Sequence, residues 1–184
     1  MRKPVPIPRA DAEAILLCGP SLAGKSTVCE RIAVELHAAV ICADAINAER
    51  GLPFGAEGLP ESVWAETLRL QLDQVREHAR SGRSVVVDDT LCYRWLRDRF
   101  RAAAAAVGLV PRLLVLMPSR DELLARHALL SRSGGRPLLL LPRLIEHLDA
   151  FEWPTEDEAA VDISTPALLD AWFRARSGDE PGRN

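Results

Sequence analysis

A glycine-rich stretch directly after a short apolar run is the feature that most constrains the fold of this 184-residue chain. Residues 14–18 are all apolar and predict a buried strand. The next eight residues, Gly19 to Ser26, match the pattern G-x-x-x-x-G-K-[ST] at every fixed position. A helix is predicted from Lys25 to about residue 37. The order strand, glycine-rich turn and helix predicts a parallel α/β sheet with a phosphate-binding first turn.

The residues of this turn are suited to bind phosphate groups. Glycines let the backbone fold so that successive N–H groups point inward, and the start of the following helix adds partial positive charge. The chain contains only two lysines, Lys3 and Lys25. Lys25 supplies a compact charge for β- and γ-phosphates, and the Ser26 hydroxyl is a candidate Mg²⁺ ligand. We predict that the nucleotide is bound by Gly19, Pro20, Ser21, Leu22, Ala23, Gly24, Lys25, Ser26 and Thr27.

The rest of the chain alternates short apolar strands with amphipathic helices. Further strands are predicted at 40–42, 85–87, 113–117 and 160–163, and further helices at 61–80, 93–107, 141–151, from 120 and from 166. A polar, glycine-rich break at 131–137 lies in a predicted lid of about 127–142. The pattern predicts one α/β domain at 13–176, with a five-stranded parallel sheet covered by helices on both faces. Residues 1–12 are predicted to form an arm and 177–184 a disordered tail.

Composition excludes several classes of protein. No apolar run is long enough to cross a bilayer and the N-terminus has no secretory apolar region, so we expect a cytosolic protein that does not bind membranes. The formal charge of −3 disfavours general affinity for nucleic acid without excluding a local basic groove. The cysteines show no metal-binding spacing and are expected to be buried and reduced: Cys18, Cys29, Cys42 and Cys92.

The absence of certain motifs excludes two classes of nucleotide-binding protein. Guanine-binding switches need Asn-Lys-x-Asp, but the only asparagines are Asn47 and Asn184, and neither precedes a lysine. A large ring ATPase needs a helical lid domain for which the chain has no room. A small kinase that uses ATP and Mg²⁺ remains.

Carboxylates follow two of the predicted strands, where ligands of parallel α/β sheets bind. Asp44 ends the second strand and could deprotonate an acceptor hydroxyl, or it could cap a helix at 45–49. Asp88 and Asp89 end the third strand. We assign Asp88 to Mg²⁺ and Asp89 to the substrate, with the alternative that one of the two caps the next helix.

Arginines flank the glycine-rich break. Arg126, Arg132 and Arg136 are candidates for a closing lid that neutralises the transferring phosphoryl group, with a solvated helix end as the alternative. Other basic residues are expected at solvated or capping positions. These are His37, His78, His127 and His147, together with Arg97, Arg99 and Arg101.

Taken together, these motifs resemble those of the polynucleotide-kinase-like P-loop kinases, an AAA-type group that includes zeta toxins and chloramphenicol phosphotransferase. The segment 151–158 is similar to the F-E-x-P-x-x-x-E segment of that group, and the resemblance spans about residues 13–175. It implies the fold of nucleoside monophosphate kinases with strand order 2-3-1-4-5, ATP as donor and a hydroxyl as acceptor. It also implies Asp44 as general base and Arg126 or Arg132 as lid arginines.

Two departures bear on the acceptor. Where polynucleotide kinases often carry an arginine three residues after the strand-two aspartate, this chain has Asn47, with Arg50 a turn later, and the lid runs into apolar residues 138–141. Asn47, Arg50 and Asp89 are the candidate acceptor-binding residues. We therefore expect transfer from ATP to a hydroxyl of a small molecule such as an antibiotic, sugar or nucleoside. Alternatives are a kinase of polynucleotide 5′-hydroxyls and a non-kinase ATP-binding switch or assembly factor. The pattern does not predict an oligomeric state.

Overall fold

Five parallel strands form the central sheet within the residues that the computed structural model describes, which are 12–56, 59–134 and 137–177. The sheet order is β2-β3-β1-β4-β5. The predicted α/β P-loop fold with strand order 2-3-1-4-5 is therefore confirmed. The strands are β1 (Glu13–Cys18), β2 (Ala39–Cys42), β3 (Val85–Asp88), β4 (Val110–Val115) and β5 (Val161–Asp162).

Seven α-helices lie in the described part of the chain: α1 (Lys25–Leu36), α2 (Ala43–Glu49), α3 (Glu61–Arg80), α4 (Arg94–Ala106), α5 (Arg120–Ser133), α6 (Leu141–Asp149) and α7 (Pro166–Ser177). Short 3₁₀ turns occur at Phe54–Ala56 and Glu156–Glu158. No described helix is both long and apolar enough to span a bilayer.

The alternation of side chains along β1 builds a core on each face of the sheet. Leu16 points into a cluster that includes residues of α3 and α4, whereas Ile15 and Leu17 point into a second cluster with residues of α1 and α7. All six residues of β1 are buried. The strand that leads into the glycine-rich turn is therefore the centre of the fold, which fixes the start of that turn.

Most element boundaries differ from the predictions by one or two residues, and two of the differences, at β4 and α5, have structural consequences. Strand β4 begins at Val110 rather than at 113, because it pairs with the whole of β1 from Glu13 onward. Pro111 is tolerated there because β5 pairs only with Leu114 and Val115, so β4 has no partner on that side at the proline. Helix α5 continues to Ser133, three residues into the predicted break, and places Arg132 in its last turn.

The prediction that Arg97 lies on a solvated helix face is wrong. Arg97 is only 1% exposed and donates two hydrogen bonds of 2.7 Å to the Glu158 carboxylate. It also donates to the backbone oxygens of Leu91 and Glu152, and Arg101 donates to Glu158 as well. The partner carboxylate comes from a distant segment, so helical periodicity alone could not reveal it.

The four cysteines differ in their burial. All four cysteines are free; Cys18 and Cys29 are buried, whereas Cys42 and Cys92 are half-buried. Burial raises the pKa of the Cys18 and Cys29 thiols to about 12.

The predicted arm lies outside the described residues except for Ala12, and the predicted tail does so from residue 178 onward.

Candidate functional site

The glycine-rich turn between β1 and α1 has the backbone that its sequence predicts. Leu22 and Gly24 have positive φ angles of 69° and 99°, and Gly24 leads directly into α1. Leu116 directly follows β4, and a Cβ atom on Gly19 would lie 2.9 Å from its backbone oxygen. Only glycine therefore fits at position 19. The Gly19 N–H donates to the Thr90 oxygen at 3.1 Å, which ties the turn to the loop after β3.

Lys25 lies inside this turn rather than in solvent. The residue is buried, and its Nζ donates a 2.9 Å hydrogen bond to the Pro20 backbone oxygen. Burial lowers the pKa of the ammonium group, and the negative charges of Asp88, Asp89 and Asp44 act in the opposite direction. The lysine is thus held beside the carboxylates that follow β2 and β3.

Asp88 and Ser26 meet at the start of α1. Asp88 ends β3, opposite Leu17 of β1, and its carboxylate interacts with the Ser26 hydroxyl, which lowers the pKa of Asp88. Burial raises this pKa, whereas Lys25 also lowers it. These hard oxygen donors suit Mg²⁺, which takes one or two protein ligands and completes its shell with phosphates and water. Within 12–56, 59–134 and 137–177, no group of three or more His, Cys, Asp or Glu residues could hold a metal.

Asp89 is held by hydrogen bonds on both carboxylate oxygens. Its Oδ1 accepts from the Thr90 backbone N–H at 2.6 Å, and its Oδ2 accepts from Gln71 Nε2 at 3.0 Å. Helix α4 begins only at Arg94, so the alternative that one of the two aspartates caps it is wrong. Sequence reasoning missed Gln71, which is buried on α3.

Asp44 does not cap a helix at 45–49, because α2 begins at Ala43 and its N-cap position is Cys42. Asp44 stands in the first turn of α2. Its pKa is raised, because the protein partly removes it from water and because Asp89 and Asp88 are negative nearby, while Lys25 opposes the shift. The residue is exposed, and solvent screening limits the size of this shift.

Asn47 and Arg50 are bound to α3 through one hydroxyl group. The Thr67 hydroxyl donates to Asn47 Oδ1 at 2.6 Å, and Arg50 donates to the Thr67 oxygen and to the Val63 backbone oxygen. Asn47 is buried, and its Nδ2 has no hydrogen-bond partner among the residues described. Thr67 and Gln71 are also buried, one helical turn apart. Two polar residues four positions apart in the predicted 61–80 helix were the sequence feature that could have indicated this polar cluster.

The predicted lid arginines have different surroundings. Arg126 of α5 donates to the backbone oxygens of Leu22 and Ala23 in the glycine-rich turn, at 3.0 and 3.3 Å. Arg132 is exposed in the last turn of α5 and lines a groove between α5 and α6. Arg136 lies outside the described residues. The structure therefore brings Arg126, but not Arg132, against the predicted phosphate-binding turn.

Two of the histidines are not at solvated or capping positions. His127 is buried on α5, with its Nε2 2.9 Å from the Leu139 backbone oxygen. His147 of α6 is partly buried and interacts electrostatically with Lys25 and Asp89. Burial and Lys25 lower the pKa of His147, and Asp89 acts against them. Nothing in the residues around His147 in the sequence indicates this position.

Comparison with known proteins gives a family model and a set of similar folds. A family model described as an AAA domain matches residues 15–140. A gluconokinase from Sinorhizobium meliloti 1021 is 23% identical with a TM-score of 0.60, and the match covers 94% of this chain and 99% of that chain. An APS kinase from Mycobacterium tuberculosis, in complex with AMPPNP and APS, is 17% identical with a TM-score of 0.64 over 94% and 99% of the two chains.

A third similar structure is Kti12 from Chaetomium thermophilum in complex with ADP-AlF3. It is 10% identical with a TM-score of 0.71, and the match covers 92% of this chain and 100% of that chain. None of the curated proteins gives a significant match. At these identities the three structures show a common fold and no more.

Proposed function

This chain belongs to the AAA domain family, and from that premise we propose that it is an ATP-dependent kinase that phosphorylates a hydroxyl group of a small molecule. The membership confirms the family resemblance seen in the sequence. The observation that carries the proposal is the grouping of Lys25, Asp44, Asp88 and Asp89. The four side chains interact electrostatically beside the glycine-rich turn, at the carboxyl ends of β2 and β3.

Three residues of the group, Lys25, Asp44 and Asp88, have direct roles in the proposed phosphoryl transfer. When bound, Mg²⁺·ATP supplies the γ-phosphoryl group, and its phosphates are held by the backbone of residues 19–27 and by Lys25. Ser26 and Asp88 would hold the metal ion. Asp44 takes the proton of the acceptor hydroxyl as that oxygen bonds to the γ-phosphorus and the bond to ADP breaks.

The lid arginines neutralise charge on the transferring group. Arg126 is the stronger candidate because it already contacts the glycine-rich turn. Arg132 is exposed in the last turn of α5, and Arg136 belongs to the part of the lid outside the described residues, so both stay predictions.

Several observations favour a small, weakly charged acceptor. Between α2 and α3 lie three uncharged polar side chains, Asn47, Thr67 and Gln71, and Gln71 is hydrogen-bonded to Asp89. Arg50 is the only one of the candidate acceptor-binding residues with a positive charge, and it is engaged with Thr67 and Val63. The proteins of similar fold include a gluconokinase and an APS kinase, and both names refer to small molecules. Such a kinase suits the cytosol, where ATP is present and the four thiols stay reduced.

Acceptor-dependent release of ADP tests the proposal. The purified chain with Mg²⁺·ATP is assayed against gluconate, glucose, adenosine, chloramphenicol and a 5′-hydroxyl oligonucleotide, with phosphorylated product identified by mass spectrometry. We expect one of the small molecules to be phosphorylated. Transfer to the oligonucleotide alone would favour a polynucleotide kinase, and slow ADP release that no acceptor changes would favour a switch; either result would contradict the proposal.

Variants then separate chemistry from binding. Lys25→Ala should weaken both ATP binding and transfer, because it removes the charge that the phosphates face. Asp44→Asn should lower transfer by about 10²- to 10⁴-fold while ATP still binds, because it removes the base. Glu49→Gln, an exposed carboxylate at the other end of α2, is the matched control and should transfer normally.

A further inference from the structure

His147 has a buried ring nitrogen that nothing in the described chain satisfies. Its Nε2 is shielded from solvent and makes no hydrogen bond within the described residues. By contrast, His127, one helix earlier, has its Nε2 against the Leu139 oxygen. A buried polar atom left without a partner is unfavourable, so such atoms are rare and often face a group that the free protein lacks.

The chain around His147 is fixed to the candidate site. The Glu152 N–H donates at 2.9 Å to the oxygen of Cys92, which anchors the end of α6 to the loop that follows Asp89. Phe151 lies in the core, and the His147 ring meets it edge-on with 5.6 Å between ring centroids and an interplanar angle of 89°. The contact with Phe151 sets the orientation of the imidazole independently of any ligand.

The neighbours of the ring belong to the proposed transfer site. His147 interacts electrostatically with Lys25, from the glycine-rich turn, and with Asp89, from the end of β3. Lys25 would face the phosphates, whereas Asp89 is the candidate acceptor-binding carboxylate. The imidazole therefore belongs to the same electrostatic group as the proposed phosphate-facing ammonium and the proposed acceptor-binding carboxylate.

The imidazole is suited to bind an uncharged hydroxyl. Burial and the Lys25 charge keep its pKa low, so the ring stays neutral near pH 7. The Nε2 atom of a neutral imidazole can donate or accept one hydrogen bond, according to the tautomer. Asp89 is held as an acceptor by Gln71 and Thr90, so the two side chains offer complementary partners for hydroxyl groups.

We propose that His147 binds a second hydroxyl group of the acceptor through Nε2, and so positions the reacting hydroxyl at Asp44. The proposal rests on the proposed kinase function and makes it more specific: the acceptor is a polyhydroxy compound, with one hydroxyl that reacts and another that His147 holds. His147 is a positioning residue, since it touches the acceptor away from the atoms that react.

The test compares an acceptor with its own deoxy analogues. The best acceptor among gluconate, glucose, adenosine and chloramphenicol is assayed beside each of its monodeoxy forms, with wild type, His147→Phe and His147→Gln. His147→Phe keeps a ring against Phe151 but has no hydrogen-bonding atom, whereas the amide of His147→Gln reaches the position of Nε2. His78→Phe and His78→Gln, in the last turn of α3, are the matched controls.

We expect His147→Phe to lower kcat/KM for the intact acceptor by about 10-fold or more, the scale of one lost hydrogen bond. The KM for ATP should not change. For one monodeoxy analogue the same substitution should have no effect, because wild type has already lost the contact. His147→Gln should recover part of the activity, and both His78 variants should behave as wild type.

Each other outcome overturns the proposal. If His147→Phe slows the acceptor and all deoxy analogues equally, the ring has only a packing role. If it slows none of them, His147 does not contact the acceptor, although the kinase proposal stands. If wild type phosphorylates none of the small molecules, the kinase proposal itself fails and the role of His147 fails with it.

Discussion

At the scale of single residues, three carboxylates surround one buried ammonium group. Asp44, Asp88 and Asp89 all act to raise the pKa of Lys25, although burial lowers it overall, and their three negative charges exceed its single positive charge. Burial and the nearby Asp89 charge raise the pKa of both Asp44 and Asp88. A bound divalent cation would offset this excess of negative charge, which is why the donor set fits Mg²⁺.

The raised pKa of Asp44 gives a direct prediction for the free protein. We expect its carboxyl group to titrate above the usual aspartate value of about 3.9, as followed by NMR of the side-chain carboxyl carbon. Asp89→Asn should lower this pKa, because the Asp89 charge disfavours ionisation of Asp44. A base must be ionised to act, so transfer should be lost as the pH falls through the raised pKa.

The Asp44 titration also has a clear contrary result. A pKa at or below the usual value, unchanged in Asp89→Asn, would mean that the two carboxylates do not interact. Glu49→Gln is the control, since Glu49 is exposed and is not among the groups that shift Asp44.

At the scale of elements, α5 and the glycine-rich turn are joined across about a hundred residues of sequence. Arg126 provides the contact, through its hydrogen bonds to the Leu22 and Ala23 oxygens. The capping box of Ser119 and Glu122 fixes where α5 starts, and so fixes the helical turn on which Arg126 lies. The sequence predicted the start of α5 and the candidate arginine, but not which oxygens it would contact.

Arg126→Ala should therefore weaken ATP binding and lower transfer by about 10²-fold, the scale for removing one stabilising donor at a transferring group. The measurement is the kcat and the KM for ATP with the best acceptor. Arg132→Ala is the comparison, because Arg132 is exposed and has no hydrogen bond within the described chain. A larger loss in Arg132→Ala than in Arg126→Ala would make Arg132 the lid arginine.

The residues at the proposed acceptor site also have partners that local sequence patterns could not reveal. The amphipathic spacing predicted α3 with its observed ends, Glu61 and Arg80. It could not show that Thr67 would bind Asn47 and Arg50, or that Gln71 would bind Asp89, because those partners lie on other elements. The pairs form only when α2 and the end of β3 come beside α3.

At the scale of the whole molecule, the buried pair of Arg97 and Glu158 holds the segment at 151–158 against α4. The Glu158 side chain is 0% exposed and accepts hydrogen bonds from Arg97 and Arg101. Burial opposes ionisation of Glu158, but the hydrogen bonds from the two arginines prevail and lower its pKa to about 2. The same segment carries Phe151, against which His147 is oriented.

Glu158→Gln should destabilise the fold by about 3–5 kcal/mol, because it leaves the buried Arg97 charge without its partner. Urea unfolding measures the change, and Arg97→Met with Glu158→Leu should lose less than the sum of the single changes. Glu156→Gln, exposed in the same 3₁₀ turn, is the control. Single changes that simply add would show that the two residues are not coupled.

The low pKa of Glu158 also sets the direction of its pH dependence. A carboxylate whose pKa is lower in the folded state stabilises the fold fully above its unfolded value of about 4.3. This stabilisation should be lost as the pH falls from there through about 2. The Glu158→Gln protein should lack that part of the acid transition, and an identical acid profile would contradict the assignment.

The sequence by itself determined the parallel α/β fold, the position of the glycine-rich turn, and the carboxylates at the ends of β2 and β3. These features depend on local patterns: apolar runs, the spacing of G-x-x-x-x-G-K-[ST], and residues that directly follow a strand. Only the tertiary structure decided which arginine reaches the turn, that Arg97 is buried against Glu158, and that His147 interacts electrostatically with Lys25 and Asp89. Those contacts join residues far apart in the chain, and a side chain acquires its partner, burial and pKa only when the elements pack together.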